Sequence, residues 1–247
     1  MLPPIKWAAF AALIALVVAP ARVPGGMPLS AAVATDSPLR RDGGSSSNAP
    51  RDEMLHGAAG QWQHWTSVPE LLVLTSVMQY DPDARDEYVA TSEVLTAGVA
   101  EGLVDDLTDA LRLLTNGTFE HFARVKYETA LAGAKVSIVR PRQIVVARYR
   151  GLQDMAHTIG LGGRKAARNG SIIGAAVLLD NDFDRSSGKR QLLRTHELGH
   201  ALGYNHVTSR PSIMNPRIGP HMTDADRQVV MLAFQGSGFA PTDDNRR

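Results

Sequence analysis

The chain has 247 residues, 44% of them hydrophobic, and a formal net charge of +1, which suits one sizeable globular domain plus extensions. A balance so near neutrality, with no basic run interleaved with aromatics, excludes nucleic acid as an expected partner, because phosphate binding needs clustered Lys and Arg. The absence of cysteine excludes disulfides and thiolate metal ligands, so stability must come from core burial and bound ions.

Lys6 precedes an apolar run over residues 7–19, and Ala19-Pro20-Ala21 offers small residues at a cleavage spacing. Residues 1–21 therefore read as a secretory signal peptide, the run being shorter than the roughly 20 residues that span a bilayer. Export is the expectation; an uncleaved membrane anchor, with the rest of the chain outside, is the alternative. Residues 22–58 are expected to be a flexible linker or short propeptide, since Pro, Gly, Ser and Asp dominate up to Pro50 and bulky apolar residues are too few for a core. The folded domain is expected over residues 59–236 and a flexible tail over 237–247.

Within the domain, residues 71–77 form an apolar run with strand character. Val94, Leu95, Val99, Leu103, Leu107, Leu111 and Leu114 recur at a helical period, predicting a helix over 91–115 that Asn116-Gly117 stops. Strands are predicted at 119–125, 136–139, 144–149 and 172–179, and a second helix from about residue 187. Asn116 and Asn169 open Asn-x-Ser/Thr sequons but read as plain loop residues. Asp180, Asp182 and Asp184 alternate like the start of a calcium loop. No Gly follows at Arg185, however, and Gln191 stands where a bidentate Glu should be, so a solvated turn is expected there and Ca²⁺ is the alternative.

Residues 196–206 read HELGHALGYNH, the pattern HExxHxxGxxH. Residues four apart on a helix share a face, so His196 and His200 can present two ring nitrogens to one ion. Glu197, one residue along, is poorly placed as a fourth ligand but well placed to act on a water at the open coordination position, the task of a general base. Gly203 tolerates positive φ, so the backbone can turn and bring His206 round as third ligand. Three protein ligands leave one position free, the mark of a catalytic zinc site. Leu198 and Leu202 fall on the opposite side of the helix, so one stripe can anchor in a core while the histidines line a cleft. His56, His64, His121, His157 and His221 lack ligand spacing and are expected to be structural or solvated.

This motif resembles that of the metzincin zinc endopeptidases, and the matrixin-like branch is the most similar. Ser212-Ile213-Met214-Asn215-Pro216 looks like the family's Met-turn, whose methionine forms a soft packing floor under the ligands. Met222 to Arg227, with Thr223 as N-cap and acids in the first turn, opens an apolar run through Val229, Val230 and Phe234 that looks like the family's last helix. The likeness is specific over residues 172–234. It implies an α+β fold with a twisted mixed sheet, an upstream helix, a zinc-binding helix, a Met-turn and a C-terminal helix. It also implies one catalytic Zn²⁺ on His196, His200 and His206, Glu197 as general base and acid, and hydrolysis of a polypeptide substrate outside the cell.

By the same likeness, the strand over 172–179 would be the edge strand that pairs with an extended substrate, a buried strand without substrate contact being the alternative because its apolar run does not alternate, and residues 215–221 would wall the specificity pocket. The sequence departs from the family in having Asn215 where matrixins commonly carry Tyr, and in lacking ligands for a second, structural zinc. Without cysteine, the cysteine-based latency of animal matrixins cannot operate. A non-hydrolytic zinc-containing module that binds polypeptides is the alternative function. The presence of Glu197 argues against it, because binding alone needs no base.

Overall fold

The computed structural model describes residues 53–56, 62–80, 88–153 and 158–235. The expected signal peptide, most of the expected linker, the tail over 237–247 and His157 lie outside the described residues. Among those described, no helix is long and apolar enough to cross a membrane.

Strands β1 (Glu70–Tyr80), β2 (Tyr88–Val94), β3 (Val125–Glu128), β4 (Lys135–Val136), β5 (Gln143–Tyr149), β6 (Gly160–Ala166) and β7 (Ile172–Asp180) form one sheet. Its order is β4-β2-β1-β5-β7-β6, with β3 beside the first half of β1. β1, β3, β5 and β7 run parallel, while β2 and β6 are antiparallel to their neighbours. The helices are α1 (Ala97–Leu114), α2 (Asn181–Ser186), α3 (Arg190–Leu202) and α4 (Asp224–Gln235). The chain is thus mixed α+β, as the order of its predicted elements implies.

Because side chains alternate across a strand, Leu71, Val73, Ile144 and Val146 face the helices and pack on Leu103, Leu107 and Leu198. Leu72, Leu74, Val145 and Ala147 face the other way, beneath Ile138 and Leu152. Both faces are covered, which explains why β5 and β7 read as continuous apolar runs without alternation. Leu198 and Leu202 do anchor α3 in the core, as their spacing predicts. At the end of α1, Asn116 and Gly117 take φ of 51° and 74°, the left-handed turn that stops a helix.

Several expectations are corrected. The helix predicted over 91–115 starts at Ala97, because Thr91 and Val94 complete β2. Of residues 119–125 only Val125 is in a strand; Phe119 and Phe122 are buried in the core by packing. The strand over 172–179 is not an edge: it lies between β5 and β6, and β6 is the edge. The DNDFD segment is neither a solvated turn nor open to calcium. It begins α2, with Asp180 Oδ1 accepting the Phe183 amide at 3.0 Å. Asp184 is fully buried, and its two oxygens are occupied by Arg194 and Arg148, each at 2.7 Å. Arg194 continues to Asp106 of α1 at 2.6 Å, so one ion network ties α1, α2, α3 and β5 together.

The linker boundary is corrected too. Residues 53–56 form a short helical turn whose Met54 and Leu55 are fully buried in the main core. Glu53 accepts hydrogen bonds from the amides and hydroxyls of Thr208 and Ser209. We expect Leu55→Ala to cost about 2–4 kcal/mol in urea unfolding, the range for emptying a buried leucine site. A change within about 0.5 kcal/mol, the usual effect of a surface substitution, would return this turn to the linker.

Candidate metal centre

Helix α3 is buried from Leu193 to Leu202 on every side, because it is sandwiched between α1 and the two last strands of the sheet. Gly203 ends it with φ 119°. A Cβ there would also strike the Gln63 carbonyl, so glycine is required twice, by conformation and by space. The turn is held by the Tyr204 amide bonding back to the Gly199 carbonyl at 2.9 Å and by the Tyr204 hydroxyl donating to the Leu114 carbonyl of α1 at 2.6 Å. The chain then returns His206 to the helix, beside His200.

The three histidines named from the motif converge. His200 Nε2 lies 3.2 Å from His196 Nε2 and 3.1 Å from His206 Nε2. The other ring nitrogens settle what these atoms are. His196 Nδ1 is 2.7 Å from the Ile213 carbonyl oxygen and His200 Nδ1 is 2.9 Å from that of Tyr204. A carbonyl can only accept, so each Nδ1 carries the proton and each Nε2 presents a bare lone pair. Lone pairs facing one another at this range repel unless a cation lies among them. Protonating a ring would supply one, but burial drives His196 and His200 towards neutrality, and desolvation acts in the same direction on the more exposed His206. His200 is lowered well below the ordinary histidine value by burial and by its two neighbours. His196 is lowered by burial against the pull of the Ile213 carbonyl, and His206 is lowered to about 4 by desolvation, with His196 adding. Tetrahedral coordination at about 2.0–2.1 Å per imidazole nitrogen puts ligand atoms about 3.3–3.4 Å apart. The donor set therefore fits a metal ion, and His196, His200 and His206 would hold it. No other group of three metal-binding side chains occurs among the described residues.

Glu197 points the other way round the helix, beneath the edge strand β6. A Cβ on Gly160 would lie 2.6 Å from Glu197 Oε1, and one on Gly162 would lie 2.7 Å from His200 Cβ. Sequence reasoning missed both glycines, because glycine reads as a strand breaker. Here the missing side chains let the strand lie directly on the metal helix. Asp180 donates to the Ile159 carbonyl at 2.9 Å. Bonded and unbonded pairs alternate in an antiparallel ladder, so the backbone groups of Gly160, Gly162 and Arg164 face away from β7. The outward Gly162 amide donates to the Glu197 carboxylate. Burial pushes Glu197 up to about 8 against that bond, and a cation on the three imidazoles would draw it back towards the ionised form.

Met214 is fully buried and sits where Gly199 leaves room on α3, its Sδ 2.6 Å from the place a Cβ would occupy. The turn carrying it is pinned by Asp226, which accepts from Arg210 at 2.6 Å, Ser212 Oγ at 2.7 Å and the Ile213 amide at 3.0 Å. Asp226 and Thr223 also exchange bonds at 3.0 and 3.2 Å, a reciprocal cap that starts α4 and matches the N-cap predicted at Thr223. Asn215 is a tie rather than a pocket wall: its amide reaches the Val207 and Arg210 carbonyls at 2.6 and 2.9 Å. Of residues 215–221, His221 alone lines the cavity of about 230 Å³ that opens beside Leu192, Thr195 and Ile213. No protein-family model matches the chain, and no curated protein matches it.

Two outcomes follow from this geometry. Gly162→Ala forces a methyl into Glu197 and His200, and overpacking of this kind costs about 1–3 kcal/mol. We expect lower thermal stability together with weaker metal uptake in calorimetric titration; wild-type uptake would show that the strand stands further off. Asp226 is pushed up by desolvation but held below the ordinary aspartate value by Thr223, Ser212, Arg210 and Ile213. A lowered carboxyl contributes stability that is whole above the unfolded value, near 4, and is lost as pH falls through the native one. Asp226→Asn should destabilise by roughly 3 kcal/mol at neutral pH, as expected on breaking a buried pair. The gap to wild type in denaturant titrations should close only below about pH 4.

Proposed function

We propose that the chain is an exported, zinc-dependent endopeptidase of the metzincin type. The observation that carries this reading is the convergence of three ring nitrogens, His200 Nε2 lying 3.2 Å from His196 Nε2 and 3.1 Å from His206 Nε2, with an acid, Glu197, on the same helix and turned under an edge strand. Zinc suits a neutral trio of imidazoles without thiolate. The chemistry such an ion supplies when bound is Lewis acidity towards a carbonyl oxygen and towards water.

This chain's own residues would do the rest. An extended peptide would lie along the outer edge of β6, past the part-exposed Gly162, and so along the metal helix. The side chain after the scissile bond would enter the cavity beside Thr195 and His221. The Glu197 carboxylate would take a proton from the attacking water and return it to the departing amine as the C–N bond breaks. A carboxylate enclosed beneath β6 beside the Gly162 amide suits a group that must accept a proton and then release it. The apolar run over residues 7–19 supports export.

Glu197→Gln should abolish cleavage of a fluorogenic peptide library while leaving about one zinc per chain by elemental analysis. Cleavage at the wild-type rate would remove Glu197 from this role. A zinc-loaded wild type that binds peptides without cutting any would favour the binding-module reading. Chelation should stop turnover and readdition of zinc should restore it. His206→Ala, which removes a third of the donor set, should lower zinc affinity by at least about 100-fold.

A further inference from the structure

Arg164 lies on β6 and is 4% exposed, yet none of its partners is a carboxylate. Its Nε donates to Gln63 Oε1 at 2.7 Å and its Nη2 to Asn205 Oδ1 at 3.0 Å. Its Nη1 donates to the His200 carbonyl at 2.9 Å and the Tyr204 carbonyl at 3.2 Å. The other buried guanidiniums of this protein sit against acids: Arg148 and Arg194 share Asp184. A buried cation served only by neutral acceptors carries an uncompensated desolvation cost, which lowers its pKa to about 10.

The partners say what the cost supports. Two are carbonyls at the C-terminal end of the metal helix, the end that carries negative partial charge. The Tyr204 carbonyl is the same atom that takes the His200 Nδ1 proton. Asn205 directly precedes His206, and the bond to its Oδ1 turns its amide nitrogen towards the Met54 and Leu55 carbonyls, at 3.3 and 3.2 Å. One guanidinium thus reaches the second ligand through the carbonyl that orients its ring, and the third ligand through the residue before it. It does so from the face of β6 that also carries Gly160 and Gly162, two positions that leave the strand near enough for the reach.

We infer that Arg164 is a positioning residue for the metal centre, setting metal affinity and coordination geometry through the Tyr204 carbonyl and Asn205. The inference rests on the metal-binding reading of the histidine cluster. Outer-shell groups that orient a metal-bound histidine are worth about 10–100-fold in metal affinity, and a lysine, with one ammonium on a flexible stem, cannot serve four divergent acceptors.

The test compares wild type with Arg164→Met, Arg164→Lys and the buried control Leu72→Ala, on the sheet face turned away from α3. Each is assayed for its zinc dissociation constant by chelator competition, for the visible spectrum of the Co²⁺-loaded protein, and for the thermal midpoint without metal. Expected are a 10–100-fold rise in the zinc dissociation constant and an altered Co²⁺ spectrum for both Arg164 variants. Leu72→Ala should lower the midpoint, as emptying a buried leucine site does, while keeping the wild-type affinity and spectrum. If Arg164→Met fails to fold, Arg164→Lys carries the comparison. Folded Arg164 variants with wild-type affinity and a superimposable Co²⁺ spectrum would reduce Arg164 to packing and overturn the inference. A wild type that takes up neither ion would instead overturn the metal reading beneath it.

Discussion

The bare Nε2 lone pairs of His196 and His200 are held 3.2 Å apart with His206 Nε2 beside them, and that electrostatic conflict is the constraint around which the structure is arranged. Two backbone carbonyls, of Ile213 and Tyr204, take the Nδ1 protons and thereby forbid the rings from relieving the conflict by changing tautomer. Burial removes the other escape, protonation. What is left is a site whose stable completion is a cation. The two carbonyls come from segments on either side of His206, so the protein must fix the turn carrying Met214 and the turn after α3 as firmly as the helix itself.

That firmness comes from buried charge placed outside the site. Asp184 joins α3 to β5, and Arg194 carries the link to α1; Asp226 joins the turn carrying Met214 to α4. In each hub a fully buried carboxylate meets two or more donors, and the geometry repays desolvation only while every donor is present. Apolar packing alone would position these elements less specifically, since helices can slide on a greasy surface while a bidentate arginine fixes both distance and angle. The metal helix is buried over ten consecutive residues, which leaves it no freedom to relax when a ligand is lost.

The features legible from sequence were those whose chemistry is local. The spacing of His196, His200, Gly203 and His206 encodes one turn of helix and one reversal, and Asn116-Gly117 and Thr223 encode a stop and a start. What escaped depends on partners far along the chain. Gly160, Gly162 and Gly163 disfavour a strand in isolation, and only the helix beneath them explains why side chains are absent. Asp184 looked like a solvent or calcium residue because its arginines are 10 and 36 positions away. Met54 and Leu55 sit in a polar stretch, and their burial depends on carbonyl contacts with Asn205 about 150 residues on. The family likeness implies an edge at β7, and β6, a strand that its glycines conceal in the sequence, moves that edge outward.

Strand β6 unites three tasks that are usually argued separately. Its glycine face admits the helix, the outward amide of Gly162 holds the acid, and Arg164 reaches past both glycines to the carbonyls behind two ligands. A peptide pairing with the free edge of this strand would press on the same backbone that orients Glu197 and the histidine loop. Occupancy of the edge and geometry of the metal site are then one mechanical unit, because a strand resting on a close-packed helix cannot shift without moving what it touches. An ion that bound only the folded arrangement would stabilise that whole unit by mass action.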